Sequence, residues 1–194
     1  MTFLENLTNE IKNAKQISVD EALKLTNQDL DELTYHAKEL RKFFCGDSFD
    51  LCTIINAKSG ACSENCKFCA QSSHFKTNAQ VYSLLSDSEI IEGAKKNESQ
   101  GVLRYSMVTS GRKLSNQEVD RMCDVTRKIK EETNIALCCS FGLLDETQFR
   151  KLKEAGITRI HNNLETSRNH FPKICTTHTL DDKIASIKAA QKQG

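Results

Sequence analysis

The sequence predicts an α/β fold: an incomplete (β/α) barrel of the TIM type, with about four parallel strand–helix units in series preceded by N-terminal helices. Three observations carry that expectation. From residue 50 onward, short stretches rich in β-branched and apolar residues alternate with stretches of helical periodicity. Ser/Asp-x-x-Glu/Gln pairs, the signature of a capping box, stand at the start of the helical stretches. A barrel of eight units takes about 250 residues, so residues 50–194 supply roughly half of one.

The elements follow in order. Residues 1–46 read as a helical segment. Ser18-x-x-Glu21 opens one helix, and Leu30, Leu33, Ala37, Leu40 and Phe44 then recur at helical spacing until Gly46. Residues 47–194 form the second part. FDLCTIINA (49–57) is the first strand, and Ser86-x-x-Glu89 opens a helix running to about Ser99. VLRYSMVTS (102–110) is the second strand. Ser115-x-x-Glu118 caps a helix over 116–132 whose Val119, Met122, Val125 and Ile129 share a face. IALCCSF (135–141) is the third strand, and Asp145-x-x-Gln148 starts a helix that stops at Gly156, where a left-handed residue is favoured. ITRIHNNLE (157–165) is the fourth strand, and LDDKIASIKAAQKQG (180–194) the last helix.

Composition excludes some function classes. A net charge of +1 gives no electrostatic case for nucleic acid or an anionic membrane. No apolar run approaches the roughly 20 residues of a membrane span, and the start MTFLENLTNEIKNAK lacks the basic and apolar regions of a signal peptide. The expected location is the cytoplasm. Nine cysteines in a reducing compartment point to metal binding or catalysis more than to disulfides. Cys45 and Cys123, standing alone, read as small semi-buried apolar residues, and Cys52 as part of the core.

The densest chemistry lies in GACSENCKFCAQSSH (60–74), where Cys62, Cys66 and Cys69 are spaced C-x3-C-x2-C. A structural zinc ion wants four protein ligands. His74 is the nearest fourth donor, but the paired C-x2-C knuckles of most zinc modules are missing. Three thiolates without a fourth suit a [4Fe–4S] cubane with one iron left open for a ligand. The loop follows the first strand, which places it at the C-terminal face of the sheet, where barrels of this type carry their active sites.

This motif, with Phe68 before its last cysteine, resembles the signature of radical S-adenosylmethionine enzymes. CTIINAKSGACSENCKFCAQSSHFKT (52–77), RYSMVTSG (104–111), LCCSFGLL (137–144) and HNNLETSRNHFPKICTTHT (161–179) resemble, more narrowly, the biotin synthases. The resemblance implies that Cys62, Cys66 and Cys69 ligate the cluster and that S-adenosylmethionine chelates its open iron. An electron passed through the cluster then releases methionine and a 5′-deoxyadenosyl radical. That radical takes hydrogen from two carbons of dethiobiotin, and an auxiliary iron–sulfur cluster ([2Fe–2S] or a variant) supplies the sulfur. Phe68 would lie beside the adenine, with Asn163 and Glu165 on the ribose and neighbouring polar groups. The implied partners are an electron donor such as flavodoxin or ferredoxin, the iron–sulfur assembly machinery and, in full-length relatives, a second copy of the chain.

Two departures from the family pattern stand out. The auxiliary-cluster cysteine expected on the second strand is replaced by Ser106, a hard and poor ligand for iron beside a thiolate. Cys138 matches the family's cysteine on the third strand. Cys175 is a candidate substitute, while the two-residue period of a strand turns Cys139 to the other face. The second departure is length: the family continues into further strands that carry another auxiliary cysteine and an arginine. The expectation is therefore a truncated chain, inactive in making biotin by itself. The alternative is a non-catalytic iron–sulfur or zinc-binding fragment.

Overall fold

The computed structural model describes residues 1–194, which divide into two compact units, Met1–Phe49 and Asp50–Gly194. The first holds α1 (Phe3–Lys12), α2 (Val19–Leu25) and α3 (Leu30–Cys45). Thr2 and Glu5 close a capping box on α1, as Ser18 and Glu21 do on α2. Leu4, Leu7 and Thr8 of α1 are buried, and Thr8 hydrogen-bonds through Oγ1 to His36 Nδ1 of α3 at 3.0 Å. The apolar spacing of α3 promised a buried stripe, yet none of its residues is fully buried, and Leu30 and Phe44 are exposed. Cys45, expected to be semi-buried, is also exposed, because it closes the last turn of α3 just before Gly46.

The second unit is built on four parallel strands in the order β1 (Cys52–Lys58), β2 (Arg104–Thr109), β3 (Ala136–Ser140), β4 (Arg159–Ile160). The helices α4 (Asp87–Ser99), α5 (Asn116–Glu132) and α6 (Glu146–Ala155) separate them, and α7 (Phe171–Ile174) and α8 (Leu180–Gln191) follow β4. This is the partial (β/α) barrel that the alternation predicts. Each of α4, α5, α6 and α8 starts in a capping box, which supplies partners for backbone N–H groups that the first turn leaves free.

Strand alternation sorts the residues by face. Tyr105, Met107, Leu137 and Cys139 point to the helices, where they pack with Ile90, Val119, Met122, Val125, Ile129 and Leu152 in the main core. Their neighbours Ser106 and Cys138 therefore point to the opposite, concave face, where they are register partners. Ile54, the partner of Ser106 on β1, lies on that face and is 69% exposed. Cys52 was expected in the core and is exposed instead, because it begins an edge strand and belongs to this open face.

The fourth strand is the clearest difference from expectation. It pairs with β3 only at Cys138–Arg159 and Cys139–Ile160, and a last backbone bond runs from His161 N–H to Cys139 C=O at 2.9 Å. The residues beyond, Asn162 to Glu165, leave the sheet, and Glu165 adopts a left-handed φ of 68°. A non-glycine residue there costs on the order of 1–3 kcal/mol. The chain accepts that where it turns toward the site.

Candidate functional site

The loop between β1 and α4 begins with Ser59 paired to Tyr82 and closes on itself at the cysteines. Cys62 N–H donates to Gln71 C=O at 3.0 Å, Ser73 N–H to Cys62 C=O at 2.8 Å, and Cys69 N–H to Cys66 C=O at 3.0 Å. Ser72 Oγ donates to Glu64 C=O at 2.6 Å, and Ser110, after β2, donates to Gly60 C=O at 2.8 Å. These bonds fix the backbone that carries the thiols.

A second segment straps the loop from outside. Lys67 N–H donates to Ile174 C=O at 2.9 Å. The amide of Asn65 reads the loop after α7: its Oδ1 accepts from Thr176 N–H (2.9 Å) and Thr177 N–H (3.2 Å), and its Nδ2 donates to Thr176 Oγ1 at 2.6 Å. Glu64 is 7% exposed, and one of its oxygens gathers the contacts. Its Oε2 accepts from Thr177 Oγ1 at 2.8 Å and from His178 Nδ1 at 2.5 Å, with Arg112 at 3.7 Å. Burial would raise the Glu64 carboxyl, but these donors hold it below the usual carboxylate range. Arg112 also donates to Thr177 C=O at 2.6 Å. It is held in turn where Leu143 N–H meets Arg112 C=O at 2.9 Å beside Gly142, a crossing so close that a Cβ on Gly142 would strike the Arg112 backbone.

Cys62, Cys66 and Cys69 line one cavity of about 260 Å³ together with Phe68, Asn163 and Glu165. The six residues come from the cysteine loop and from the segment after β4. The cavity floor is Val108, Thr109 and Ser110 at the end of β2 and Ser140 at the end of β3, so the site sits at the C-terminal edge of the sheet. Ser106 and Cys138 stand side by side on the same face, two residues earlier in their strands, and are not among the lining residues. Cys175 is not brought to them. Its sulfur is 3.7 Å from Cys66 Sγ, and it packs with Phe171 and Leu180 behind the loop.

The donor set bears directly on the cluster that the motif implies. Three thiols line one cavity, and no fourth cysteine joins that lining. They do not converge as ligands of a single ion would, since the sole group of ligand atoms lying within 4.8 Å of one another is Cys66, Cys175 and His178. Three spread thiolates on one pinned loop suit a polynuclear cluster. The residues fit. His74, the alternative fourth zinc donor, points elsewhere: its Nε2 meets Ser63 C=O at 3.0 Å.

The two touching thiols differ. Burial and the contact with Cys175 push Cys66 up to about 12, whereas the Cys175 thiol lies below its ordinary value. Burial opposes that lowering, but hydrogen bonds from the Thr177 hydroxyl and from the His178 and Thr177 backbone outweigh it. Glu64, Asn65, Arg112 and His178 were not singled out as site residues from the sequence. A signal existed in the polar runs SEN and TTHT, but nothing in one dimension brings residues more than a hundred positions apart together. A larger cleft of about 580 Å³ opens between α6, β4 and α8, lined by Phe149, Ile157 and Ile187 among others, and none of the candidate site residues lines it.

The chain is 52% identical over 191 residues to a biotin synthase of Brachyspira hyodysenteriae, an alignment covering 98% of this chain and 57% of the relative. It is 48% identical over 194 residues to a biotin synthase of Akkermansia muciniphila, covering all of this chain and 60% of that one. The chain thus spans less than two thirds of the length of these curated relatives. Among solved structures, methylornithine synthase (PylB) superposes with a TM-score of 0.80 at 21% identity over 97% of this chain and 56% of its own length. The [FeFe]-hydrogenase maturase HydG gives 0.75 at 18% identity, over 99% of this chain and 44% of its own. Those two likenesses establish the fold. The model of the radical SAM superfamily matches residues 57–194, from the end of β1 through the cysteine loop to the last helix, and this chain belongs to that superfamily.

Proposed function

We propose that this chain provides the cluster- and S-adenosylmethionine-binding part of a biotin synthase, an enzyme that inserts sulfur into dethiobiotin. The observation that carries the reading is the convergence of Cys62, Cys66, Cys69, Phe68, Asn163 and Glu165 on one cavity. The identity of about half to named biotin synthases supports the substrate. When bound, the cluster supplies the electron for reductive cleavage of S-adenosylmethionine.

The chain's own residues hold and orient. Cys62, Cys66 and Cys69 are the thiolate donors. Glu165 offers a carboxylate that accepts two hydrogen bonds from a vicinal diol such as ribose. Its left-handed backbone aims it from a segment that has already left the sheet. Phe68, 55% exposed, presents an apolar face to a flat ring, and Asn163 adds an amide for polar edges. An auxiliary cluster would occupy the concave face, held by Cys138 with Ser106 beside it, and further ligands would come from outside these residues. Reduction would come from a small electron-transfer protein of the flavodoxin or ferredoxin kind.

The test is anaerobic reconstitution with iron and sulfide. The chain is expected to take up about four irons with broad visible absorption, and to form 5′-deoxyadenosine from S-adenosylmethionine with dithionite. Cys62→Ala, Cys66→Ala and Cys69→Ala should each abolish both, and Cys45→Ala should not. Ser106→Cys should raise the iron content further if that face holds the auxiliary cluster. Equal loss from Cys45→Ala, or a full cluster in any of the three motif variants, would show the ligand set to be wrong.

A further inference from the structure

Cys66 and Cys175 are two cysteines whose sulfurs meet, at 3.7 Å, although only Cys66 lines the cluster cavity. We infer that, in the cluster-free chain, these two thiols are a site of reversible oxidation and join in an intramolecular disulfide, with a small peroxide as the oxidant. The inference goes beyond the proposed function and meets it only at Cys66. A bridged Cys66 cannot ligate iron, so disulfide and cluster exclude each other.

The backbone sets the two residues opposite each other. Lys67 N–H donates to Ile174 C=O at 2.9 Å, and the Asn65 amide holds Thr176 through Oδ1 at 2.9 Å and Nδ2 at 2.6 Å. One segment therefore advances as the other recedes, and Cys66 faces Cys175 between two bonded neighbours. Antiparallel segments joined in this way lie about 4.5–5.5 Å apart at Cα, inside the roughly 4.4–6.8 Å that a disulfide spans. The sulfurs have to close by about 1.7 Å to reach a bond length of about 2.05 Å, a movement that rotation about the Cα–Cβ bonds supplies. Cys175 is 3% exposed, and Thr177 Oγ1 at 3.5 Å and His178 Nδ1 at 3.3 Å keep its sulfur beside Cys66.

The two thiols differ in access. Cys66 is half-buried and lines the cavity, where a small oxidant reaches it, whereas Cys175 lies behind the loop. Hydrogen peroxide transfers one oxygen to Cys66 Sγ, giving the sulfenic acid and water. Cys175 Sγ then attacks Cys66 Sγ. The S–O bond breaks as the S–S bond forms, and the hydroxyl leaves with the Cys175 proton as a second water. The two thiols lose two electrons, which the peroxide gains. A dithiol reverses the bridge by exchange. The bridge also stops Cys66 short of the sulfinic acid, which thiols do not reduce.

The experiment uses the reduced, cluster-free chain, treated with one equivalent of hydrogen peroxide and then alkylated. The free-thiol count should fall by two from nine. Digestion with trypsin and a glutamate-specific protease, which cuts at Glu64 between Cys62 and Cys66, should yield one non-reduced peptide pair joining Cys66 to Cys175. Dithiothreitol should restore all the thiols. In Cys175→Ser the pair cannot form, and under a few equivalents of peroxide Cys66 sulfinic acid should rise about twofold or more above the parent, read by mass spectrometry. Cys66 joined to Cys62 or Cys69, a link found only between chains, or nine free thiols after peroxide would overturn the inference. Equal sulfinic acid in parent and variant would overturn it too. The peptide map is read without iron, so its failure would leave the cluster assignment standing, and failed reconstitution would leave the bridge standing.

Discussion

Gly93 lies in the middle of α4, where alanine would ordinarily favour the helix by about 1 kcal/mol. Here the helix passes directly over Tyr105, and a Cβ on Gly93 would collide with the phenolic oxygen. That ring cannot swing away: Tyr105 is 1% exposed and its hydroxyl donates to Ile90 C=O at 3.3 Å. Overpacking of this kind costs about 1–3 kcal/mol, so the clash outweighs the propensity gain. Gly93→Ala should lower stability in urea denaturation by up to about 2 kcal/mol. Tyr105→Phe, which removes the obstructing oxygen, should recover most of the loss when combined with it. Burial also pushes the Tyr105 phenol up to about 12, so it stays neutral throughout the range in which the fold is measured. That Tyr105 sits on a strand was legible from the stretch VLRYSMVTS (102–110), but the need for glycine at 93 was not. A helix pattern says nothing of which side chain stands across from a given turn.

At the scale of elements, the start of α5 carries two duties through one residue. Glu118 closes the capping box with Ser115, and its Oε1 accepts from Lys58 Nζ at 2.7 Å, tying the helix to the end of β1. Burial would raise its carboxyl, yet the Lys58 and Ser115 hydrogen bonds hold it below the usual carboxylate range. A depressed folded pKa gives stability that is complete above the unfolded value and disappears as pH falls through the folded one. Glu118→Ala should therefore cost about 1–2 kcal/mol at neutral pH, the sum of a cap and a partly exposed ion pair. Glu118→Gln, which can still cap, should lose less and should flatten the acid limb of the stability profile below about pH 4.5. Stability measured at several pH values checks both. Such caps are what made the helices legible: Ser86, Ser115 and Asp145 mark the starts of α4, α5 and α6. The same logic would have found Thr2 and Thr179, whose partners are Glu5 and Asp182. What could not be read was the early end of β4, because ITRIHNNLE keeps strand-like composition past the point where the backbone turns to the cavity. The four-residue α7 is too short to show a period. In the site, local spacing exposed the three thiols, while the strap of Glu64, Asn65 and His178 depends on contacts that only the fold makes.

For the second unit as a whole, the two faces of the sheet are unequal. The helix side is a closed core, whereas the concave side leaves Ile54 69% exposed and places the exposed Cys52 in the same row pattern on β1. β1 and β4 are both sheet edges, and Leu51, just before β1, is 42% exposed. No helix is long and apolar enough to cross a membrane, so this apolar surface is not that of a spanning helix. An apolar residue on an edge strand, beside unpaired backbone groups, is a template for pairing with another chain. A polypeptide of these 194 residues should therefore self-associate at micromolar concentration, seen by light scattering coupled to size exclusion. Two adjacent substitutions separate surface from core. Ile54→Thr should raise the monomer fraction and leave the unfolding midpoint nearly unchanged, because its side chain is in water already. Ile55→Thr, one residue along and packed against the main core, should lower stability by about 1 kcal/mol or more without improving solubility. If Ile54→Thr leaves association unchanged, the open concave face is not its cause. If it unfolds the chain, that face is buried in solution.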